Sequence, residues 1–294
     1  MSRPFATVSV DVDPVDLHLH GYGVRGLAPD PLVYTHALPR LLELFARHGV
    51  RATLFVVARD AEAQRSALTD AVAAGHEVAS HSLTHPIGLA RLGATALRRE
   101  LVESRARLAD ATGAPVVGFR APQFDMDGRA LAMLAEAGYA YDASGCPSQI
   151  VIDTRIAMLL LGPDRLAALR LRFLPFTWRR MPYVHAARGR PIREFPLSVT
   201  PLERRPLHHS LRRRMPDGRF ARVLNGFARR REPVSYLLHA ADALGLAEDG
   251  VDRRLRRFAG MSQPLAKKLD LLDRTFREIA RRFDPVPFRD RLAD

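Results

Sequence analysis

Strand-length apolar runs alternate with glycine-stopped helical stretches through most of this chain, and that alternation restricts its fold more than any other feature. FATVSVDV (5–12) is a β-branched run ending in acids. ATLFVV (52–57), HEVAS (76–80), VVGFRAP (116–122), YAYDAS (139–144), IREFPLS (192–198) and VSYLLH (234–239) read as further strands. Between them, 38–49, 61–74, 94–112 and 127–137 have helical spacing with stops at Gly49, Gly75, Gly113 and Gly138, and 264–283 forms a closing helix. Repeated β-then-α units argue for a parallel sheet covered by helices, and seven or so strands suit a barrel.

Residues 146–191 break the rhythm. Leu166, Leu169, Phe173 and Phe176 fall on one helical stripe, Arg165, Arg172 and Arg179 recur every seven residues beside it, and Trp178 and Tyr183 lie near its end. A basic amphipathic stretch with aromatic residues has the composition of a helix in a membrane interface, broken here by Pro175 into two pieces; packing on its own domain is the alternative. The charge favours the interface. The chain carries a net +13, yet residues 1–154 hold 14 cations and 17 anions, 233–294 hold 12 and 10, and 155–232 hold 19 and 5. A preference for arginine, which makes 43 of the 45 cations, does not explain that confinement. Such a field attracts phosphate in lipid, nucleic acid or substrate. No run free of charged residues exceeds about thirteen, short of the roughly 20 that a membrane span needs. The start, MSRPFATVSVDVD, is not a secretory signal, and the lone Cys146 permits no internal disulfide. A cytoplasmic protein, peripheral at the inner face of the membrane, is expected.

In parallel α/β architectures, side chains at the carboxyl ends of strands converge on one face. Asp11 and Asp13 end the first strand, His81 and His85 follow the third, Arg120 ends VVGFR and His239 ends VSYLLH. Asp11 and Asp13 are two apart, so on a regular strand both point the same way, and burying two such carboxylates needs a cation. His81 and His85 stand one helical turn apart, the spacing at which two imidazoles meet one metal. Two imidazoles and one carboxylate with an open position describe a catalytic zinc site, and the other carboxylate is then free as a base. HxxxH alone carries little; joined to DxD at a strand end it points to a metal.

These residues resemble the NodB-homology polysaccharide deacetylases (carbohydrate esterase family 4) over roughly 5–145 and 192–242. VSVDVD, HSLTHP, FRAPQF, YDAS and SYLLHAAD are similar to the family's five motifs in order, the second and third being the specific ones. The resemblance implies an α/β fold, a distorted, incomplete (β/α) barrel of about seven parallel strands. It implies one catalytic domain over 1–294 with the insertion 146–191. It also implies a metal held by Asp13, His81 and His85, with Asp11 as base, Arg120 orienting Asp11, Asp142 bracing Arg120 and His239 as acid. Zinc is the default ion, and cobalt or iron also fits two imidazoles and a carboxylate. On that reading Asp11 deprotonates a water that adds to an amide carbonyl. The metal and a backbone N–H just after Pro122 hold the oxyanion, and His239 protonates the departing amine.

The first motif is DVD rather than adjacent Asp-Asp, as in the branch that includes intracellular peptidoglycan-deacetylase-like, allantoinase-like and lipid-linked-sugar deformylase proteins. Gln123, followed by Phe124, takes the place of an aromatic, Ala143–Ser144 that of a groove-forming tryptophan, and Ala240–Ala241 that of a Pro-aromatic pair. A long chitin or xylan groove is therefore not expected. Pro122, Gln123, Phe124 and Ser144 are the candidate substrate-binding residues, with His18 and His20, which either form an HxH metal pair or, as expected here, line the pocket mouth in a flexible loop. His208 and His209 are expected to be solvated. His36, His48 and His76, without acidic partners, read as structural, His185 as loop and Cys146 as an inert thiol. The expected substrate is an amino sugar or glycolipid with an acetamido or formamido group, lipid-linked at an anionic membrane surface met by 155–190. One alternative is metal-dependent hydrolysis of a non-sugar C–N bond in a cyclic imide or ureide. Another is nucleic-acid binding by RRRMPDGRFARVLNGFARRR (212–231); with only Phe220 and Phe227 to stack and no reader motif, no nucleic-acid partner is expected.

Overall fold

FATVSVDV forms strand β1, Phe5–Val12, and its alternation sorts the molecule into an apolar layer and a polar interior. In the computed structural model, which describes residues 3–21, 24, 26–148, 179–186 and 190–293, Ala6, Val8, Val10 and Val12 join the main core beneath the helices. Thr7, Ser9, Asp11 and Asp13 take the opposite face and are buried all the same. A strand that is polar on one face yet dry on both belongs inside a curled sheet, where that face can carry chemistry.

The remaining strands are β2 (Thr53–Val56), β3 (Glu77–Ser80), β4 (Gly118–Phe119), β5 (Tyr141–Asp142), β6 (Tyr183–His185), β7 (Ile192–Glu194), β8 (Val234–His239) and β9 (Asp284–Pro285). Their order is β6-β7-β5-β4-β3-β2-β1-β8, with β9 added to β1. Every pairing is parallel except β6 with β7. The sheet curls into a distorted, incomplete (β/α) barrel. Irregular chain bridges the gap between β7 and β8: Ser198 N donates to Ser235 O at 3.1 Å, and Leu237 N donates to Leu207 O at 3.1 Å. The seven expected strands are all present. The expected 116–122 shrinks to two paired residues, and β6 and β9 are additions.

Helices α2 (Leu38–His48), α3 (Arg65–Ala73), α4 (Ala94–Thr112), α5 (Gly128–Glu136), α6 (Asp217–Arg230) and α7 (Leu265–Ala280) cover the sheet, preceded by the short α1 (Val15–Gly21). Gly49 and Gly113 end α2 and α4 at φ 63° and 65°, a left-handed conformation open to glycine at little cost. Inside the barrel, Phe55, Ala79, Tyr141, Ala143, Phe195 and Phe288 form a second core, with Phe288 stacked on Phe195 at 4.8 Å between centroids.

The expected insertion 146–191 is only partly an insertion. Tyr183, read as an interfacial aromatic, lies in β6 of the sheet, with the Arg179 guanidinium 4.9 Å from its ring centre. The stripe of Leu166, Leu169, Phe173 and Phe176, with Arg165, Arg172 and Trp178, lies outside the described residues. Among the described residues, no helix is long and apolar enough to cross a membrane.

Candidate metal centre

Asp13 leaves the end of β1, and His81 and His85 leave the end of β3, so the parallel strands on either side of β2 deliver all three to one rim. Asp13 Oδ1 lies 3.5 Å from His81 Nε2 and 3.9 Å from His85 Nε2, and one donor atom from each residue fits within 4.8 Å of the others. These separations are too long for hydrogen bonds, and Asp13 Oδ1 is buried with no hydrogen-bond partner among the described residues. Ligands about 2.1 Å from a shared tetrahedral ion would stand roughly 3.4 Å apart, so the spacing suits donors that share one cation.

Proton positions agree. His81 Nδ1 lies 2.8 Å from the Arg120 carbonyl, which only accepts, so Nδ1 carries the proton and Nε2 turns its lone pair to Asp13. Burial holds the His81 imidazolium down and lowers His85 to about 4, leaving both rings neutral, as metal ligands must be. Burial also pushes the Asp13 carboxyl above its usual range. The donor set fits a divalent ion of the zinc type.

The expected helical turn between the two histidines is absent. HSLTH is a loop with Ser82 at φ 69° and His85 at φ 56°. Glu100, from the buried face of α4, holds it: one carboxylate oxygen accepts from Leu83 N and Thr84 N at 2.9 Å each, and the other from Thr84 Oγ1 at 2.6 Å. Ser82 Oγ accepts from His85 N at 3.0 Å. A carboxylate on the Leu97, Leu101, Leu108 stripe is the signal that could have found Glu100.

Asp11 and His239 meet through strand register, since they pair across β1 and β8. Arg120 is buried whole and gives Nη1 to Asp11 Oδ1 at 2.7 Å, Nη2 to Ser9 Oγ at 3.0 Å and Nε to the Ala143 carbonyl at 3.1 Å. Burial alone would raise the Asp11 carboxyl, but the Arg120 guanidinium beside it pulls it down to about 2. His239 Nε2 lies 3.9 Å from Asp13 Oδ2, on the far side from His85.

Asp142 does not bond to Arg120 directly as expected: among the described residues the guanidinium's hydrogen bonds are those three. It accepts from Ser144 Oγ at 2.6 Å, and that hydroxyl in turn accepts from Ala121 N at 2.8 Å. Burial, then the neighbouring Glu194 carboxylate, drives Asp142 well above the usual carboxylate range, while Glu194, raised to about 7 by burial, accepts from Gly145 N at 2.7 Å. Asp142 and Ser144 therefore tie down the strand ends behind Arg120; Ser144 is buried and does not line the cavity over the centre.

A cavity of about 500 Å³ opens over the centre, walled by Asp11, Asp13 and the ligand histidines, with Gln123 and Phe124 on one side and His18, His239 and Phe258 on another. Gln123 and Phe124 reach it from consecutive left-handed residues, φ 57° and 56°. Pro122 is buried and His20 is partly buried, and neither lines the cavity. His18 and His20 lie on α1 rather than in a flexible loop, and His18 packs on His239 at 5.3 Å and on Phe258 at 4.9 Å.

His208, expected in solvent, packs on the opposite face of this group, 5.3 Å from the His239 ring, and burial lowers it to about 3. His209 is buried against the Tyr236 hydroxyl at 2.8 Å. His48 pairs with Asp273 at 3.0 Å, so it has an acidic partner after all, and His185 lies in β6, 3.6 Å from Glu194. His76 is structural as expected, accepting from Ala52 N at 3.0 Å, and Cys146 is buried. Phe220 and Phe227 are buried in α6, which leaves the nucleic-acid alternative without stacking residues.

Residues 29–141 match the family model for polysaccharide deacetylase. A peptidoglycan deacetylase of Helicobacter pylori (strain ATCC 700392 / 26695) is 31% identical over 142 residues, 46% of this chain and 47% of that protein. A chitooligosaccharide deacetylase of Sinorhizobium fredii (strain NBRC 101917 / NGR234) is 36% identical over 113 residues, 38% of this chain and 50% of that protein. The chain thus spans about half the length of these curated relatives. A solved structure described as a "probable Polysaccharide deacetylase from Pseudomonas aeruginosa PAO1" is 16% identical with a TM-score of 0.64, covering 99% of this chain and 90% of that one, and speaks for the fold alone.

Proposed function

Because this chain belongs to the NodB-homology polysaccharide deacetylase family, we propose that it is a metal-dependent de-N-acylase that hydrolyses an N-acetyl or N-formyl amide on an amino sugar. The observation that carries this reading is the buried Asp13 oxygen without a hydrogen-bond partner, facing two neutral imidazoles. Asp13, His81 and His85 would hold a divalent ion, with zinc the default. When bound, such an ion supplies a Lewis acid that acidifies water and polarises the acyl carbonyl.

The chain's own residues supply the rest. Asp11, kept ionised and aimed by the Arg120 fork, takes the proton from the attacking water. His239 stands across Asp13 and gives a proton to the amine nitrogen as the C–N bond breaks, because an amide anion is too poor a leaving group. Phe258 and His18 shield His239 on one side and His208 on the other, which keeps the acid out of bulk water. The 155–190 segment expected to meet a membrane is largely undescribed, so the reading rests on an amino sugar without a lipid.

Metal analysis of the purified protein beside Asp13→Ala and His81→Ala, with acetate and formate release from N-acyl amino sugars, tests this. About one equivalent of metal in the parent and loss of both metal and release in the variants is expected. Full metal content in both variants sinks the assignment.

A further inference from the structure

We propose that Lys268 is a positioning residue for the proton donor His239. From α7 its ammonium ties down both the turn that follows His239 and the loop that sets Phe258 against the donor's ring. This inference rests on the de-N-acylase reading above. Lys268 is 2% exposed, and a lysine so buried ordinarily has a carboxylate to bond. Among the described residues no carboxylate accepts from this one. Its Nζ donates to the Ala241 carbonyl at 3.1 Å, to the Leu244 carbonyl, and towards Met261 Sδ at 3.8 Å. Burial pulls the ammonium down to about 8, with the buried Asp242 carboxylate acting the other way, so it stays charged at neutral pH.

Those three acceptors lie on the two segments that surround His239. Ala241 belongs to the 3₁₀ turn Ala240–Ala243, which starts directly after His239 at the end of β8. Asp242 in that turn accepts from His239 N at 3.0 Å, so the turn fixes the donor's backbone. Met261 closes the loop after Phe258, its N donating to the Phe258 carbonyl at 3.0 Å, and that loop passes through Gly260 at φ 88°. Phe258 meets the His239 ring at 5.6 Å between centroids, and His18 and His208 each meet it at 5.3 Å. One buried cation thus joins the backbone behind the donor to the aromatic wall beside it. The helix itself has no need of a charge there, since Leu272, Phe276 and Ile279 already anchor α7 in the core. A methionine could fill the same space but would give neither carbonyl a donor.

The test compares the metal-replete parent, Lys268→Met, Lys268→Gln and His239→Ala on an N-acetyl amino sugar and on para-nitrophenyl acetate, whose phenolate leaves without a proton. Lys268→Met is expected to keep its metal and to lose about 10- to 100-fold in kcat on the amide with KM little changed, as a slightly displaced donor would. Its ester turnover should stay within about threefold of the parent, as in His239→Ala. Lys268→Gln, which keeps an N–H for a carbonyl, should recover part of the amide rate. A merely structural lysine would slow both substrates together. That result, or an unchanged amide kcat, overturns the inference and leaves the de-N-acylase reading standing. If Lys268→Met does not fold, Met261→Leu, which removes one acceptor of the same ammonium, carries the comparison: a loss confined to the amide supports the inference, and equal effects on both substrates overturn it. A parent that cleaves no amide counts against the de-N-acylase reading. NMR relaxation of histidine-labelled protein then decides the inference. A His239 ring loosened in Lys268→Met beside an unchanged His76 supports it, and a ring as ordered as in the parent overturns it.

Discussion

Among the described residues Arg120 is the bulkiest side chain that is fully buried, and its guanidinium lies 4.0 Å from the centre of the Phe55 ring. A charge so placed is tolerable because Asp11, Ser9 and the Ala143 carbonyl take its donors. Arg120→Met should therefore destabilise by about 3–5 kcal/mol in urea unfolding, since it strands a buried carboxylate, and should cut activity by about 10²-fold or more. Adding Asp11→Asn to that variant should recover much of the stability and none of the activity. Recovery of both would show that Asp11 is not the base. That these residues gather at one rim was legible in the sequence, because DVD, HSLTH and FRAP each lie at the carboxyl end of a strand. Asp142's partners were not, because Asp142 and Glu194 become neighbours only through the β5–β7 pairing.

Elements were legible where they carry their own pattern, as in β1, α2 and α4. They were hidden where a neighbour decides. VDLHLHG forms a helix only by packing beneath the site, and HSLTH is a loop only because Glu100 reaches across from α4. His208 and His209 sit in a run whose arginines signal solvent, yet that run folds back along β8, with His208 bridged to Leu237. Strand β4 shows the same dependence. A Cβ on Gly118 would lie 1.9 Å from Tyr141 Cζ, so glycine is what lets the tyrosine ring cross the barrel interior. Gly118→Ala should cost about 3 kcal/mol in thermal or urea unfolding, and Tyr141→Leu in the same chain should return part of it. Additive losses in the double variant would refute the steric account.

At the scale of the whole molecule the barrel is chemical at one end and sealed at the other. Phe288 N donates to Thr53 Oγ1 at 3.0 Å, Thr53 donates to Glu77 at 2.8 Å, and Glu77 also accepts from Arg289 N at 3.1 Å. Burial raises the Glu77 carboxyl to about 7, so below neutral pH the folded chain holds it protonated. With the folded value above the unfolded one, its stabilising effect is whole below about pH 4.5 and is lost as pH rises through about 7, on the order of 3 kcal/mol. Glu77→Gln, which mimics the protonated acid, should gain stability over the parent steadily between pH 5 and 8 in urea titrations. A difference that does not change with pH would rule this out. The order of the strands has a further effect, in time. Asp11 and His239 stand on adjacent strands drawn from distant parts of the chain, Ala6 pairing with Val234. On the ribosome β1 must wait with one edge bare until VSYLLH has been made, and a chain released early can gather both histidines yet never acquire its proton donor. On the proposed reading, no amide can be cut until VSYLLH has been made and has paired with β1.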